Sequence, residues 1–523
     1  MNIALLSHEW LVIALGMGLL LADLWLPAPA KRNLGYAAAL GVGAILLYSL
    51  LAFTIHPGEA QYAFGKMYVL DGLALFFKRF FLLAALLVLL MSVEYADCFQ
   101  TGIGEFYALV LFALSGMLFA SSVNDFALLF VSLELITVTF YVLTSFARTR
   151  LTSLEAGVKY LIMGALSTSF TVFGIALVSG ISHKFNFGDL AAVAGQYSGN
   201  RLFLCGLVLI MVGLGFKIAA FPFQIWAPDV YQGAPSPTTA FLAVGSKAAG
   251  FVLLLRVLFT AVPAVTAQWS NLLIVVSAVT ILYGNLCAIP QRNIKRLLGY
   301  SSIAHAGYML LGIAALAVSL NKGAQPSAAG ASAVLYYLSG YLFTVLGAFT
   351  VICLVLRHVE GEDIAALAGL NHRSPMLAAT MTLAMVSLAG IPPLAGFFGK
   401  FLLLKAIITQ APANPGCYCL AFTAVAGVII SLFYYFGVIR AIYWSREAPS
   451  LSPIPTSRPI RLAIFACAAG MLFLGLCPAP MVNLADQAVQ GLNMPSAASN
   501  DGAPAKKSPN GLAFSNPTTH IPR

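Results

Sequence analysis

Six titratable side chains stand inside long apolar runs: Glu134 in FALLFVSLELITVTFYVLTSF, Lys159 in LEAGVKYLIMGAL, Lys217 in GLGFKIAAFPF, Lys247 in TTAFLAVGSKAAGFVLLLR, His305 in GYSSIAHAGYMLLG and Lys400 in GFFGKFLLL. A charge near the middle of a bilayer costs roughly 2.5–3.5 kcal/mol on insertion scales, so a chain that keeps several needs a use for them. Residues of these types hold and release protons. Each also has a plainer reading. Glu134 can glue two helices to a basic partner, Lys247 and Lys400 can snorkel to an interface, and Lys159 can pair with Glu155 one helical turn away. His305 can be satisfied by Ser301 or Ser302.

Two proline interruptions lie close to these residues, at Pro222 in FPFQIWAP and at Pro392 and Pro393 in AGIPPLAG. Proline has no amide to offer the preceding turn, and broken helical backbone is tolerated at membrane depth only where it is buried or faces water. Lys217 precedes Pro222 by five residues, and Lys400 follows the second break by about two turns. A lysine taken out of water holds its proton differently from one beside a carboxylate, so the separation of Glu134 and Lys217 is a switch if the two touch. One interrupted segment in each half points to two inverted repeats with broken helices at their sites.

The elements that must position these groups are membrane helices. Of 523 residues, 60% are hydrophobic and 9% are charged, against about 25% charged in a soluble domain. The apolar runs are long and unbroken, which excludes a barrel of alternating strands, and at about 20 residues per span the chain has room for roughly 14 helices. Spans are expected near 4–26, 35–55, 70–93, 106–122, 125–146, 154–180, 202–222, 238–262, 271–290, 296–319, 330–356, 376–410, 417–443 and 460–485. Lys31, Arg32, Arg148, Arg150, Arg292, Lys295, Arg296, Arg357, Arg373, Arg440, Arg446 and Arg458 fall in odd-numbered connections, whereas the even-numbered ones hold mainly Lys66, Lys184, Arg201 and Lys322. The positive-inside bias then puts the odd loops in the cytoplasm. The net charge of +10 is explained by these loops rather than by nucleic acid. The first apolar stretch, between Glu9 and Asp23, is expected to be a retained span rather than a cleaved signal.

The eight cysteines lack C-x-x-C spacing and are expected to be small core residues. The six histidines other than His305 are expected in loops or tails, so no axial haem pair is formed, and no nucleotide-binding glycine motif is present. From about residue 494 the chain turns polar and rich in Pro, Ser and Asn, as a disordered tail does.

The runs GLGFKIAAFPFQIWAPDVYQGAPSPTTAFLAVGSKAAGF, NIKRLLGYSSIAHAGYMLLG and SLAGIPPLAGFFGKF closely resemble the subunit N family of the proton-pumping NADH:quinone oxidoreductase, respiratory complex I. The resemblance extends to about residue 485, and the stretch DVYQGAP is nearer to subunit N than to its siblings L and M. It implies an all-α polytopic fold of about 14 transmembrane helices, with two inverted five-helix repeats and two discontinuous helices. The implied divisions are 1–105 as an N-terminal three-helix segment, 106–262 and 263–444 as the repeats, 445–493 as a C-terminal span and 494–523 as the tail. It further implies that Glu134 and Lys217 form a coupling pair, that Lys247 is the central carrier, that Lys400 lies towards the exit, and that Lys159 takes part. Family members often carry histidine where this chain has Gln224, and an amide cannot relay a proton by titrating.

On this reading the chain moves protons in a bacterial inner membrane. It holds no redox centre of its own, while NADH, flavin, iron-sulfur clusters and quinone belong to partner subunits. The implied neighbours are subunit M, the small subunits K and J, and lipid. Two rivals share the sequence features: a subunit of a multi-subunit cation/proton antiporter, and a scaffold whose charges only join helices.

Overall fold

A computed structural model describes residues 3–27, 30–56, 58–99, 102–321, 327–359, 361–444, 452–490 and 492. The expected disordered tail, and Lys322 and Arg446 of the loop-charge argument, lie outside the described residues. The chain opens with α1 (Ser7–Trp25) and α2 (Asn33–Ala52), then a short antiparallel hairpin of β1 (Ala60–Ala63) and β2 (Tyr68–Asp71), with Ala60 opposite Asp71. Helices α3 (Gly72–Tyr95), α4 (Ile103–Ser121), α5 (Phe126–Thr144) and α6 (Leu151–Ser182) follow, with a surface helix α7 (Phe187–Ala194). The first break separates α8 (Arg201–Ile218) from the short α9 (Trp226–Gly233). The next span is built of α10 (Ser236–Phe241), a π-helical turn (Leu242–Ser246), α11 (Lys247–Leu255) and a second π-helical turn (Arg256–Ala261). After the short α12 (Pro263–Gln268) come α13 (Ser270–Ala288), α14 (Ile294–Ser319) and α15 (Ala329–Val355). A one-turn α16 (Leu370–Arg373) leads to the second break, between α17 (Pro375–Ala389) and α18 (Ala395–Thr409), and α19 (Gly416–Trp444), α20 (Arg458–Leu476) and α21 (Ala479–Val489) close the chain.

Thirteen of these helical segments are long and apolar enough to cross a membrane. The remaining expected span, 376–410, is the pair α17 and α18, each 15 residues long and therefore short of the roughly 20 a single crossing needs. The last span ends at Leu476 rather than near 485. Cys477 leaves the helix and Pro478 precedes α21, whose exposed Leu484 and buried Ala485, Ala488 and Val489 make it a separate amphipathic helix.

Span starts follow local chemistry. Asp71, Asp125, Asn186, Asn200 and Asn293 each accept a bond from an amide in the first turn of the helix they precede, covering donors that have no intrahelical partner. The interior is formed by the composite α10–α11 span, α14 and α15, which are almost wholly buried, while α6 and α19 are mostly exposed. Exposed Leu161, Ile162, Phe173, Phe422, Ile429 and Phe433 on those outer helices are what a lipid-facing wall requires.

The basic loops converge at one end. Arg32 and Arg357 both reach Asp97, Arg150 and Lys295 both reach Glu362, and Arg357 also reaches Glu94. The opposite end is tied by the hairpin, whose Val69 amide donates to Ser122 O, and by Asn186, which donates to Lys66 O.

The cysteines divide. Cys353, Cys417 and Cys467 are buried as expected, but Cys98, Cys205, Cys419 and Cys477 are exposed, and all eight are free. An apolar environment for a cysteine in a membrane chain can be lipid as readily as core, and hydropathy alone does not separate the two.

Candidate functional site

The two breaks share one backbone pattern. Helix α8 ends at Ile218, Ala219 turns left-handed (φ 57°), and the Phe221–Pro222 peptide is cis. Helix α17 ends at Ala389, Gly390 is left-handed (φ 83°), and the Pro392–Pro393 peptide is cis. In both, the proline follows the left-handed residue by three positions. The helix therefore stops before the proline, at the left-handed cap.

Each break leaves a helix C-terminus inside the protein, and each is matched to a lysine. The carbonyls of a last turn carry partial negative charge and need donors. Lys400 Nζ donates to Leu388 O (2.7 Å) and Ala389 O (3.2 Å), the last carbonyls of α17, and lies 4.9 Å from the centroid of Tyr308. Lys217 sits in the last turn of α8 itself, where Trp226 Nε1 donates to Phe216 O (3.0 Å).

Lys217 Nζ donates to Thr137 Oγ1 (3.0 Å), while Glu134, one turn earlier on α5, accepts from Thr168 Oγ1 (2.7 Å). Among the described residues no ion pair within 4 Å joins Glu134 to Lys217. The carboxylate belongs to the stripe of α5 that also carries exposed Val131, Val138 and Val142, at spacings of three and four. Lys217 is buried behind it.

Lys247 follows the π-helical turn and is buried. It donates to Ser302 O (2.6 Å) and to Ser302 Oγ, and its Nζ lies 5.8 Å from the Tyr341 ring centroid. Gly250, one turn on, lets this span meet α8: a Cβ there would stand 2.6 Å from Ile218 Cγ2 and 3.3 Å from Lys217 Cγ. Lys217 and Lys247 are thus brought to the two sides of one close helix crossing.

Helix α14 then carries the row onward. Ser302, His305 and Tyr308 recur every three residues, a rise of about 4.5 Å each. Ser302 holds Lys247, Tyr308 underlies Lys400, and His305 lies between them, bonded to Tyr337 OH through Nδ1 and to Tyr435 OH (3.0 Å) through Nε2. Tyr435 OH also meets Ser301 Oγ (2.5 Å), Tyr434 OH donates to Asn285 Oδ1 (2.9 Å), and both Tyr231 and Tyr341 bond Ser302 Oγ. This phenolic shell was not anticipated from the sequence, because tyrosine is an ordinary core residue until its hydroxyl has a partner.

Lys159 stands apart. It pairs with Glu155 (2.7 Å), as the i, i+4 spacing suggested, and also with Asp229 (2.8 Å), which Arg296 shares. Burial pushes the Asp229 carboxyl up, but bonds from Lys159 and Arg296 outweigh it and hold it below its ordinary range. At 46% side-chain exposure Lys159 is a surface residue of this chain. Gln224 is buried in the first break.

Two buried ion pairs were missed by the sequence reading. Lys78 and Glu9 form a fully buried pair with Tyr68, whose hydroxyl accepts from Lys78 (2.7 Å). Arg256 grips Asp71 with both terminal nitrogens (2.6 and 2.7 Å) and donates to Ser121 O. All four fall inside the expected spans 4–26, 70–93 and 238–262, and the sequence reading did not single them out. His8 likewise lies buried in α1 against Phe53 rather than in a loop, because the helix begins at Ser7 under the hairpin. Among the described residues no group of three His, Cys, Asp or Glu is placed to hold a metal ion.

The family described as NADH:quinone oxidoreductase/Mrp antiporter, TM, matches residues 123–431, which span both breaks and all five buried or half-buried row members, Glu134, Lys217, Lys247, His305 and Lys400. The chain belongs to this family, on its subunit N branch. NADH-quinone oxidoreductase subunit N of Trichlorobacter lovleyi is 38% identical over 94% of this chain and 97% of its own length. The subunit N of Heliobacterium modesticaldum is also 38% identical, over 94% of this chain and 100% of its own. Among solved structures, a chain of respiratory complex I from Thermus thermophilus with bound aureothin superposes with a TM-score of 0.74 at 33% identity, covering 91% of this chain and 99% of that one. A chain of the Mrp complex from a Dietzia species shares the fold, with a TM-score of 0.77 at 19% identity over 95% of this chain and 98% of that one. This polytopic membrane subunit is thus a member of the complex I family.

Proposed function

We propose that this subunit translocates protons across the inner membrane of a bacterium, through Glu134, Lys217, Lys247, His305 and Lys400, driven by electron transfer from NADH to quinone in other subunits. The observation that carries the reading is the α14 row, in which Ser302, His305 and Tyr308 place Lys247, a titratable ring and Lys400 at successive levels along one buried helix. Near-full-length relatives named as subunit N support the assembly. The redox groups, namely NADH, flavin, iron-sulfur clusters and quinone, are assigned to partner subunits.

The steps follow from the contacts. Movement of α5 alters the distance between the Glu134 carboxylate and the Lys217 ammonium across Thr137. When they separate, the Lys217 ammonium passes a proton to the Lys247 amine, on the far side of the Gly250 crossing. Lys247 gives it through the Ser302 hydroxyl and water to the His305 site, where Tyr337 and Tyr435 orient the ring. Lys400 receives it, its ammonium held by the carbonyl end of α17. Lys159 acts beside this line, through the field of its ion cluster. The odd, basic end is taken as cytoplasmic by the positive-inside bias.

The matching breaks support a division into repeats at 106–262 and 263–444, flanked by an N-terminal segment of 1–105. Glu134, on an outward stripe of a membrane helix, calls for a protein neighbour, since lipid would not solvate it; the small subunits K and J, with subunit M elsewhere, suit that role.

The test is Lys247→Ala in assembled complex, checked on a native gel. Proton uptake by inverted vesicles and NADH:quinone turnover are expected to fall together. Normal uptake at normal assembly would return Lys247 to helix packing. Sodium-dependent proton exchange without NADH would instead favour a cation/proton antiporter.

A further inference from the structure

At the end opposite the basic loops, an apolar groove of about 480 Å³ is open between α2, α3, α15 and α21. Leu46, Leu50, Leu83, Phe343 and Leu484 line it, with one charge among them, Arg79. Helix α21 crosses its outer end, where Gly72 of α3 admits it: a Cβ there would stand 3.2 Å from Ala488 Cα. Along α3 the groove runs from Gly72 to Leu83, a rise of about 16.5 Å.

Arg79 marks a depth. Its Nη2 donates to Ser49 O (2.8 Å) and Phe53 O (2.6 Å), at the carbonyl end of α2, and its Nε donates to Ser49 Oγ (3.4 Å). Helix α2 has 20 residues and starts just after Lys31 and Arg32 at the basic end. It therefore rises about 30 Å, the thickness of the hydrocarbon layer. Its carbonyl end, and the guanidinium on it, then stand where hydrocarbon gives way to headgroups on the far side. Leu46 lies about 10.5 Å deeper than Phe53, and Leu83 one turn deeper than Arg79. Arg79 is half-buried, and its Nη1 has no bond among the described residues.

These features select the occupant. A guanidinium with a free donor at a membrane boundary calls for an anion, and its fork matches phosphate oxygens. Deeper in the groove the walls accept only hydrocarbon. A helix of a neighbouring subunit is about 10 Å across. Over this length it would fill about 1,300 Å³, nearly three times the volume of the groove, whereas a flexible chain threads it.

We propose that the groove is a binding site for one phospholipid, with its phosphodiester on Arg79 Nη1 and an acyl chain along Leu46, Leu83 and Phe343. Bound there, the lipid joins the N-terminal helices α2 and α3 to α15 and α21, across a gap that the side chains leave unfilled.

The test uses the assembled complex in vesicles carrying one of two photoreactive probes: a phosphatidylglycerol with a diazirine in its acyl chain, or a diazirine diacylglycerol that lacks the phosphate. After illumination and detergent extraction, labelled peptides are mapped by mass. The phosphatidylglycerol is expected to label the segments around Leu83 and Phe343 about tenfold more than the diacylglycerol, the ratio that one charge-assisted hydrogen bond supplies. Arg79→Gln should remove that preference. Because Arg79 also caps α2, a second variant leaves the guanidinium in place: Leu83→Trp fills the groove and should remove the label in complex of normal abundance on a native gel. Equal labelling by both probes would overturn the phosphate site and leave only bulk lipid at the wall. Absence of label at Leu83 and Phe343 would overturn it in favour of a covering subunit, and undiminished labelling in Leu83→Trp would place the lipid outside the groove.

Discussion

The Arg256–Asp71 pair ties the hairpin and α3 to the end of the span that carries Lys247, and its removal is the sharpest test of the packing. Both side chains are nearly inaccessible, at 2% and 3% exposure, and two short bonds join them. Arg256→Leu leaves the Asp71 charge buried, with the Ala74 amide as its one remaining bond among the described residues (2.8 Å). Breaking such a pair from one side costs about 3–5 kcal/mol, or about 150- to 4,000-fold in the equilibrium at 1.4 kcal/mol per tenfold. In Arg256→Leu/Asp71→Asn the orphan charge is gone and the amide side chain still caps α3, so most of the loss should return. The assay is thermal inactivation of the detergent-solubilised complex, with abundance on a native gel as a second readout. A double variant as unstable as the single one would refute the argument, and so would a neutral single variant.

Gly250→Val should cost about 1–3 kcal/mol by overpacking and lower proton uptake per assembled complex, because the new side chain would press on Ile218 and Lys217; Gly43→Ala, whose Cβ would meet nothing nearer than 3.9 Å, is the matched control, and equal effects would count against the crossing. Lys159→Ala should change stability by about 0–1 kcal/mol, as exposed pairs do, and reduce uptake less than Lys247→Ala; an equal loss would put Lys159 in the direct line. Glu362 supplies a pH test. Burial pushes its carboxyl up, but Lys295 and Arg150 outweigh this and hold it below the ordinary range. A lowered carboxyl stabilises the fold above its unfolded value, near about 4.3, and that stability is lost as pH falls through the folded value. Thermal denaturation of wild type and Glu362→Gln should therefore differ at neutral pH and converge at the acid end, whereas parallel curves would remove the pair from the ledger.

Much of this protein was legible in one dimension, and the reasons differ by feature. Membrane helices were readable because a bilayer forces backbone bonds to close within each segment, so span length and apolarity are written locally. The Pro222 and Pro392–Pro393 breaks were readable because proline removes a donor wherever it stands. Lys217, Lys247 and Lys400 were readable as expensive exceptions to an apolar background. Glu9, Lys78, Asp71 and Arg256 were not, since a charge is cheap if it reaches water and costly only if the fold covers it, and which of the two holds is set by packing.

What the residues determined by themselves was a helical membrane chain with two interruptions and a short set of titratable groups at depth. Which of those groups come near one another was decided only by the tertiary structure. Gly250 brings the Lys247 span against Ile218 and Lys217, α14 meets Lys247 through Ser302 and Lys400 through Tyr308, and Lys159 stands exposed on α6. Proton transfer needs groups within a hydrogen bond or a water of one another, and distances between helices far apart in sequence come from how their surfaces pack.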